Sequence, residues 1–496
     1  MTDYSEISEG VKKYMSMCNC KIDKEINEEC GIFAITKTKD SNIDLAGETY
    51  YALYALQHRG QESCGITVND DGVLATIKGV GLVPEVLTPE KMAQMPKGNM
   101  AIGHVRYAPK SQIDEVNSQP MVVRHAKGTL ALAANCALIN AVELRREMQK
   151  QGTFFQTTND AETMAYLIAR KRLETHSIEE ALALALEKFE GAYSLVVMSP
   201  TKVIAARDPM GFKPLCIGKL KGGYIFASET CALNAVGAEF IRDVKAGEIV
   251  EIKDNELIVY REGVEPKGLC VFEYVYTARP DSVIEGCSVH RARKRAGELL
   301  AKAHPVEADV VIGAPDSGLD AAQGYAKESG IPYGVGLLKN RYIGRTFIQP
   351  VQSQRENSVK IKLNPISETI LGKRVVLVDD SVVRGTTSER VVRLLKEAGA
   401  AEVHLRITSP PFKYLCYFGT DIGKPEDLMA NRMPISEMAA AMGADSIGFL
   451  SLEDTKKMAS GICKDYCVGC FSGEYPVDVS KATQVDKFDK KIKDIK

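Results

Sequence analysis

The sequence predicts two unlike layered units in series: an α+β half of stacked sheets with helices outside, then an α/β half built on a parallel sheet. Three observations lead there. The chain has 496 residues, 45% of them hydrophobic, enough material for two or more cores. As far as Tyr260, short alternating runs outnumber helical patterns, and the helical patterns come in groups. Beyond Arg261–Gly268, near-continuous apolar runs take over, each followed by a helix-compatible stretch.

In the first half, "GIFAIT", "CGITV", "VLATIK", "MAIGHVRY", "YSLVVM", "KVIAARD", "GYIFAS" and "EIVEIK" read as strands separated by Gly, Asp, Asn and Pro. Ala46–His58 and Asp160–Leu173 read as helices, with Gly60 as the stop of the first. In the second half, "ADVVIGAP", "YGVGLL" and "KRVVLVDD" read as strands buried on both faces, joined to helices such as Leu319–Ser329 and Ser388–Ala398. The division falls near 261–270, giving units over 30–262 and 263–478. Residues 479–496, rich in Lys, read as a tail or solvated helix.

Composition narrows the function. A net charge of −2 without a basic block argues against nucleic acid or an anionic membrane as the main partner. The longest uncharged apolar run, Thr129–Val142, is broken by Asn135 and Asn140 and is too short to span a bilayer. Met1–Glu29 carries Asp3, Glu6, Glu9, Lys12 and Lys13 and no apolar centre, so it does not read as a secretory or transit peptide. A cytosolic, reducing location follows. There the thirteen cysteines are expected as buried thiols, metal ligands or a nucleophile rather than disulfides.

The most specific stretch is "VVLVDDSVVRGTTSERVV", Val375–Val392. A buried strand ends in Asp379 and Asp380, where ligands of open sheets bind. The loop that follows, Ser381, Arg384, Gly385, Thr386 and Thr387, can present backbone N–H groups, hydroxyls and a helix N-terminus to a phosphate. It lacks the Gly-Lys-Ser/Thr of a Walker A loop.

At these residues the chain resembles type I phosphoribosyltransferases, which bind phosphoribosyl pyrophosphate (PRPP). The resemblance implies that Asp379 and Asp380 hold the ribose hydroxyls and help organise Mg²⁺, while the loop grips the 5′-phosphate. "APDSG" (Ala314–Gly318) is similar to the family's pyrophosphate loop, with Ser317 near the metal. Leu337–Pro365 is similar to its basic flap, with Lys339, Arg341, Arg355 and Lys360 suited to diphosphate oxygens.

The first half resembles the glutaminase domain of class II amidotransferases, an N-terminal nucleophile fold of layered αββα type. Together, "NEECGIFAI", "LYALQHRGQES", "IGHVRY", "TTNDAET", "ARDPMGFKPLCIG", "FASETCAL" and the PRPP signature resemble the amidophosphoribosyltransferase family from about Asn27 to Val477. That family makes 5-phosphoribosylamine from glutamine and PRPP at the start of purine synthesis. The resemblance implies autocatalytic removal of a propeptide, Met1–Glu29, leaving Cys30 as nucleophile and new N-terminus. The chemistry supports such a design. A thiol of ordinary pKa about 8.5 needs a base, and a free α-amine of about 7.7–8.0 on the same residue supplies one. Taken alone, Cys30 reads as a packed strand thiol.

By resemblance, Arg106 binds the glutamine carboxylate and Asp160 its ammonium, Arg59 and Gly60 lie on a loop closing over the substrate, and Asn135 supplies an oxyanion donor. Three departures surround this pocket. "ANCA" (Ala134–Ala137) stands where His-Asn-Gly-Asn is usual, so Cys136 replaces the glycine whose N–H is the second donor; if that glycine needs positive φ, Cys136 is strained. Ala108–Pro109 replaces Ser-Thr, and Ser63–Cys64 replaces Gly-Ala. Weakened glutamine use with surviving ammonia-dependent transfer follows as an expectation.

Cys270, Cys416, Cys467 and Cys470 form a four-thiolate set suited to an iron–sulfur cluster or structural zinc, with a redox dithiol competing for the "CVGC" pair. The family's iron–sulfur subgroup has cysteines in matching contexts, which implies a structural [4Fe–4S] cluster; Cys463 falls off the pattern. The family also implies a homotetramer inhibited by purine nucleotides. A PRPP-binding regulator is disfavoured because no DNA-binding helix pair or basic face accompanies the motif. A sugar or amino-acid amidotransferase would lack the Asp-Asp phosphate loop.

Overall fold

The structure is a computed structural model that describes residues 30–107, 113–340, 363–420, 422, 424–459 and 461–483. The first unit holds two antiparallel sheets. Strands β1 (Gly31–Thr36), β2 (Ser63–Asp70), β3 (Val73–Val80), β4 (Met100–Arg106), β9 (Cys216–Leu220), β10 (Gly223–Ala227) and β11 (Glu239–Asp243) form one, in the order β11-β9-β10-β1-β4-β2-β3. Strands β5 (Met121–His125), β6 (Gly128–Leu138), β7 (Gly191–Met198), β8 (Lys202–Arg207), β12 (Ile249–Lys253) and β13 (Glu256–Arg261) form the other, in the order β13-β12-β8-β7-β6-β5.

Alternation along β1 shows how the layers stack. Ile32 and Ala34 face the second sheet, meeting Ala131, Ala133, Val196 and Val250. Phe33 and Ile35 face outward, under helix α1 (Leu45–Ala55) and its Leu53. Helices α2 (Ala141–Lys150), α3 (Asp160–Glu174) and α4 (Ile178–Leu186) cover the outer face of the second sheet through Leu144, Ile168 and Leu182. The result is the expected αββα sandwich. Helix α1 stops at Ala55, earlier than the sequence pattern predicts, and continues as a 3₁₀ turn over Gln57–Arg59. Gly60 is extended, at φ −159°, rather than left-handed. Its glycine is required by approach instead: a Cβ there would sit 2.5 Å from the Arg106 carbonyl carbon.

The second unit has a parallel sheet of β14 (Val310–Gly313), β15 (Arg374–Asp379), β16 (Glu402–Ile407) and β17 (Ser446–Phe449), in that spatial order. Val311, Val376 and Val378 pack on one face against α5 (Val289–Ala303) and α6 (Gly318–Ser329). Val310, Ile312, Val375 and Leu377 pack on the other against α7 (Thr386–Glu397). Covering both faces explains the unbroken apolar runs of β14 and β15. "YGVGLL", by contrast, is no buried strand: only Leu337–Lys339 is extended, paired antiparallel with Leu363–Pro365 outside this sheet, and Val335 and Leu338 are exposed. Two short strands, Leu269–Cys270 and Tyr466–Cys467, pair in parallel and tie the C-terminal segment to the chain entering this unit. Lys481 then bridges back to Glu190 and Glu143 of the first unit.

Candidate active sites and cysteine cavity

Cys30 stands immediately before β1, whose first residue, Gly31, pairs with Val105. Its Sγ lies 3.7 Å from the Tyr107 carbonyl oxygen. Arg106 ends β4 and is buried. Asp160 opens α3, whose N-cap Asn159 accepts a bond from Ala161 N–H at 3.0 Å. One Asp160 carboxylate oxygen accepts Leu138 N–H at 2.8 Å. Burial raises the Asp160 carboxyl pKa, against the Leu138 N–H, Arg145 and Arg106.

The Cys136 thiol lies in the same field. Burial and the neighbouring Asp160 and Cys30 push its pKa well above the ordinary value, so it stays neutral and does not compete as a thiolate. The strain anticipated at Cys136 is corrected. It lies within β6, paired with Tyr193, and is absent from the positive-φ residues. Beside it, Asn135 is 3% exposed and its Nδ2 has no hydrogen-bond partner among the described residues. A buried amide donor left unsatisfied is costly unless a ligand completes it. An oxyanion would. Asn135→Ala is therefore expected to lower glutamine turnover by roughly 10²–10³, or about 2.7–4 kcal/mol, with ammonia-dependent turnover preserved as the control.

Sequence reasoning missed the residues that hold this strand in place. The Gln119 side chain brackets Ala134, donating to its carbonyl at 3.1 Å and accepting its N–H at 2.8 Å. His104 Nε2 lies 3.1 Å from the same carbonyl, and burial drops the ring pKa to about 3, which keeps it neutral. Glu162 accepts the Gln156 and Thr157 N–H groups, both at 2.9 Å, and so fixes the loop leading to Asp160. Nothing in local spacing marks the Gln119 and His104 contacts, which reach Ala134 from 15 and 30 positions away, whereas Glu162 acts only five and six residues from its partners.

Arg59 departs from the expected loop role. It is fully buried and bonds to protein groups: Nε donates to the Cys30 carbonyl at 3.1 Å, Nη1 to Glu229 at 2.5 Å and Nη2 to Glu273 at 2.7 Å. Gly60 packs against Arg106, as described above. Ala108–Pro109 and Met1–Glu29 lie outside the described residues.

In the second unit, the Asp380 carboxylate accepts the hydroxyls of both Ser317 and Ser381, joining the "APDSG" loop to the Asp-Asp loop. Burial raises its pKa, opposed by those hydroxyls and by Arg293. Asp379 accepts the Asp380 N–H at 2.9 Å. Thr386 and Thr387 open α7, and Gly385 before them has φ +84°. A Cβ there would also meet Met429 Sδ at 2.5 Å, so a larger residue would have to move the Met429 side chain as well as take a left-handed backbone. Arg384 leans on Asp427 at 3.7 Å. Lys339 pairs with Asp316. Arg341, Arg355 and Lys360 lie outside the described residues. The carboxylates and hydroxyls are hard oxygen donors, a set that fits Mg²⁺.

Cys270, Cys416, Cys467 and Cys470 line one cavity, walled by Phe212, Phe272, Phe412, Phe418 and Tyr475. None is in a disulfide. Burial, with the charges of Cys416 and Cys467, pushes the Cys470 thiol up. Four thiols around one apolar hollow fit a thiolate-bound cluster or zinc. Cys463 instead lies against the Asp465 carbonyl at 2.9 Å and does not line the cavity.

A second grouping, His58, Glu229 and Cys231, has ligand atoms within 4.8 Å of one another. Glu229 already accepts Arg59, His58 at 2.7 Å, Ser282 at 2.7 Å and the Arg279 N–H at 3.0 Å. Burial opposes its charge, yet His58 and Arg59 hold its pKa below the usual carboxylate range. With a guanidinium beside it and its oxygens occupied, it is a hydrogen-bond hub rather than a cation site. Among the described residues no helix is long and apolar enough to cross a membrane.

Comparison with known proteins gives two domains in the same order. A family model for a glutamine amidotransferase domain matches residues 104–235, and one for a phosphoribosyl transferase domain matches residues 288–408. The amidophosphoribosyltransferase of Methanocaldococcus jannaschii is 46% identical over 467 residues, 91% of this chain and 98% of that protein. The Bacillus subtilis amidophosphoribosyltransferase is 44% identical, covering 93% of this chain and 96% of its own. The solved structure of the allosteric regulatory enzyme of purine biosynthesis superposes with a TM-score of 0.85 at 44% identity, over 91% of this chain and 97% of that one. The glutamine PRPP amidotransferase from B. subtilis complexed with ADP and GMP gives 0.83 at 44% identity, over 91% and 98%. The chain belongs to the amidophosphoribosyltransferase family.

Proposed function

We propose that the protein hydrolyses glutamine at Cys30 and passes the ammonia to C1 of PRPP, releasing pyrophosphate and forming 5-phosphoribosylamine for purine synthesis. The observation that supports this most is the presence in one chain of the Cys30 pocket, with its unsatisfied Asn135 amide, and the Asp379–Thr387 loop joined to Ser317.

Removal of Met1–Glu29 frees the Cys30 α-amine, which takes the thiol proton as Sγ attacks the glutamine amide carbon. Arg106 and Asp160 hold the amino-acid end of the substrate. The Asn135 amide and the Cys136 N–H stabilise the oxyanion, and ammonia leaves as a glutamyl thioester forms. Water then hydrolyses the thioester. At the second site, the loop from Ser381 through Thr387 grips the 5′-phosphate while Asp379 and Asp380 hold the ribose. By family likeness, Lys339, Arg355 and Lys360 supply positive charge to the departing diphosphate. Mg²⁺ held by Asp379, Asp380 and Ser317 would neutralise diphosphate charge. A homotetramer and purine-nucleotide inhibition belong to the same reading by family likeness.

Pyrophosphate release from PRPP tests the reading: release is expected with glutamine and with ammonia, and release with neither overturns it. A second reading, weakened glutamine use, is favoured by the Cys136 thiol lying in the field of Arg106 and Asp160. Under it, Cys136→Gly is expected to raise the glutamine-to-ammonia turnover ratio several-fold. An unchanged ratio removes it.

For the cysteine cavity we propose a [4Fe–4S] cluster on Cys270, Cys416, Cys467 and Cys470, tying the C-terminal segment to the sheet. The purified protein should show visible charge-transfer absorption that bleaches with an iron chelator. A colourless protein that releases zinc would instead assign the site to zinc.

A further inference from the structure

The segment following the cysteine strand reaches back under the nucleophile of the other unit. Glu273 is fully buried at the start of a π-helical stretch, Glu273–Thr277. Its two carboxylate oxygens accept Arg59 Nη2 at 2.7 Å and Nη1 at 3.0 Å, while Arg59 Nε donates to the Cys30 carbonyl. Glu229 takes Nη1 from the other side. A planar guanidinium held by two carboxylates has one orientation, and that orientation aims the Nε–H at the Cys30 carbonyl.

The stretch carrying Glu273 is itself braced. Arg293 of α5, also buried, donates to the carbonyl oxygens of Tyr274 and Tyr276 at 2.9 Å and of Ala278 at 2.8 Å. Phe272 packs edge-on against Phe412, with ring centroids 5.6 Å apart. A rigid bracket from the second unit therefore ends at the main chain of the first unit's nucleophile. Regular strand pairing begins only at Gly31.

We infer that Glu273 is a positioning residue for glutamine hydrolysis: through Arg59 it fixes the Cys30 main chain, and with it the thiol and the amine that activates it. The inference rests on the proposed role of Cys30 as N-terminal nucleophile. Neither Glu273 nor Arg59 need touch glutamine, so the loss should fall on turnover rather than binding. A displacement of about 1 Å at a nucleophile is enough to cost on the order of 10²-fold in rate.

The test uses the full-length Glu273→Gln protein, which keeps the side-chain shape and removes the charge. Glutamine-dependent kcat is expected to fall about tenfold or more, with the glutamine KM and the ammonia-dependent transfer rate within about twofold of the unaltered protein. Arg59→Lys, which keeps a charge but loses the fork, should reproduce that pattern. Unchanged kcat, a rise in KM alone, or equal loss with both nitrogen sources would each overturn the inference. The unaltered protein run alongside separates the two claims: absence of glutamine-dependent activity there refutes the nucleophile reading itself.

Discussion

Cys30→Ala is expected to reduce glutamine-dependent formation of 5-phosphoribosylamine by roughly 10³-fold or more while leaving the ammonia-dependent rate within about twofold. The residue carries both the attacking sulfur and, after processing, the base, so no neighbour substitutes for it. Cys136 is a neighbouring thiol, and its raised pKa keeps it protonated. The same variant is expected to retain Met1–Glu29 by intact mass if the thiol drives its own exposure, whereas the unaltered protein should begin at Cys30. An active preparation beginning at Met1 would remove the amine from the mechanism.

Asp380→Asn should behave oppositely, lowering transfer from both nitrogen sources by roughly 10²–10³ while leaving hydrolysis of glutamine measurable. Its carboxylate joins Ser317 and Ser381 from two separate loops, so the amide would lose charge toward ribose and metal and unsettle both loops together. Equal loss of the hydrolytic activity would point to unfolding instead. Pyrophosphate release with ammonia and glutamate release from glutamine, measured on one preparation, distinguish the outcomes.

Features set by local chemistry were legible in the sequence. Continuous apolar runs announced β14 and β15, and the Asp-Asp-Ser loop ahead of α7 followed from strand, hydroxyls and glycine in order. The four cavity cysteines were also nameable beforehand, although only folding brings Cys270 and Cys416 beside the Cys467–Cys470 pair. Long-range polar contacts were not legible. Arg59 looked like a residue of a surface loop because the "HRG" pattern records neither Glu229, 170 positions away, nor Glu273, 214 away. Gln119, 15 positions from Ala134, was invisible for the same reason. Gly60 does close the helical segment, as the C-cap of its 3₁₀ turn, but the extended conformation and the demand of the Arg106 backbone for a glycine there were not legible in one dimension.

Phe212, from the first unit, stacks on Phe418, from the second, at 4.2 Å between ring centroids, and both wall the cysteine cavity. The connector at Glu262–Gly268 is consequently a poor place to cut. A fragment ending there would bare an aromatic face to water, and its counterpart would lose one side of the chamber around its sulfurs. Shuffling either half into a hybrid polypeptide therefore requires carrying both rings of that stack, because the cysteine thiols and the seam share the same surface.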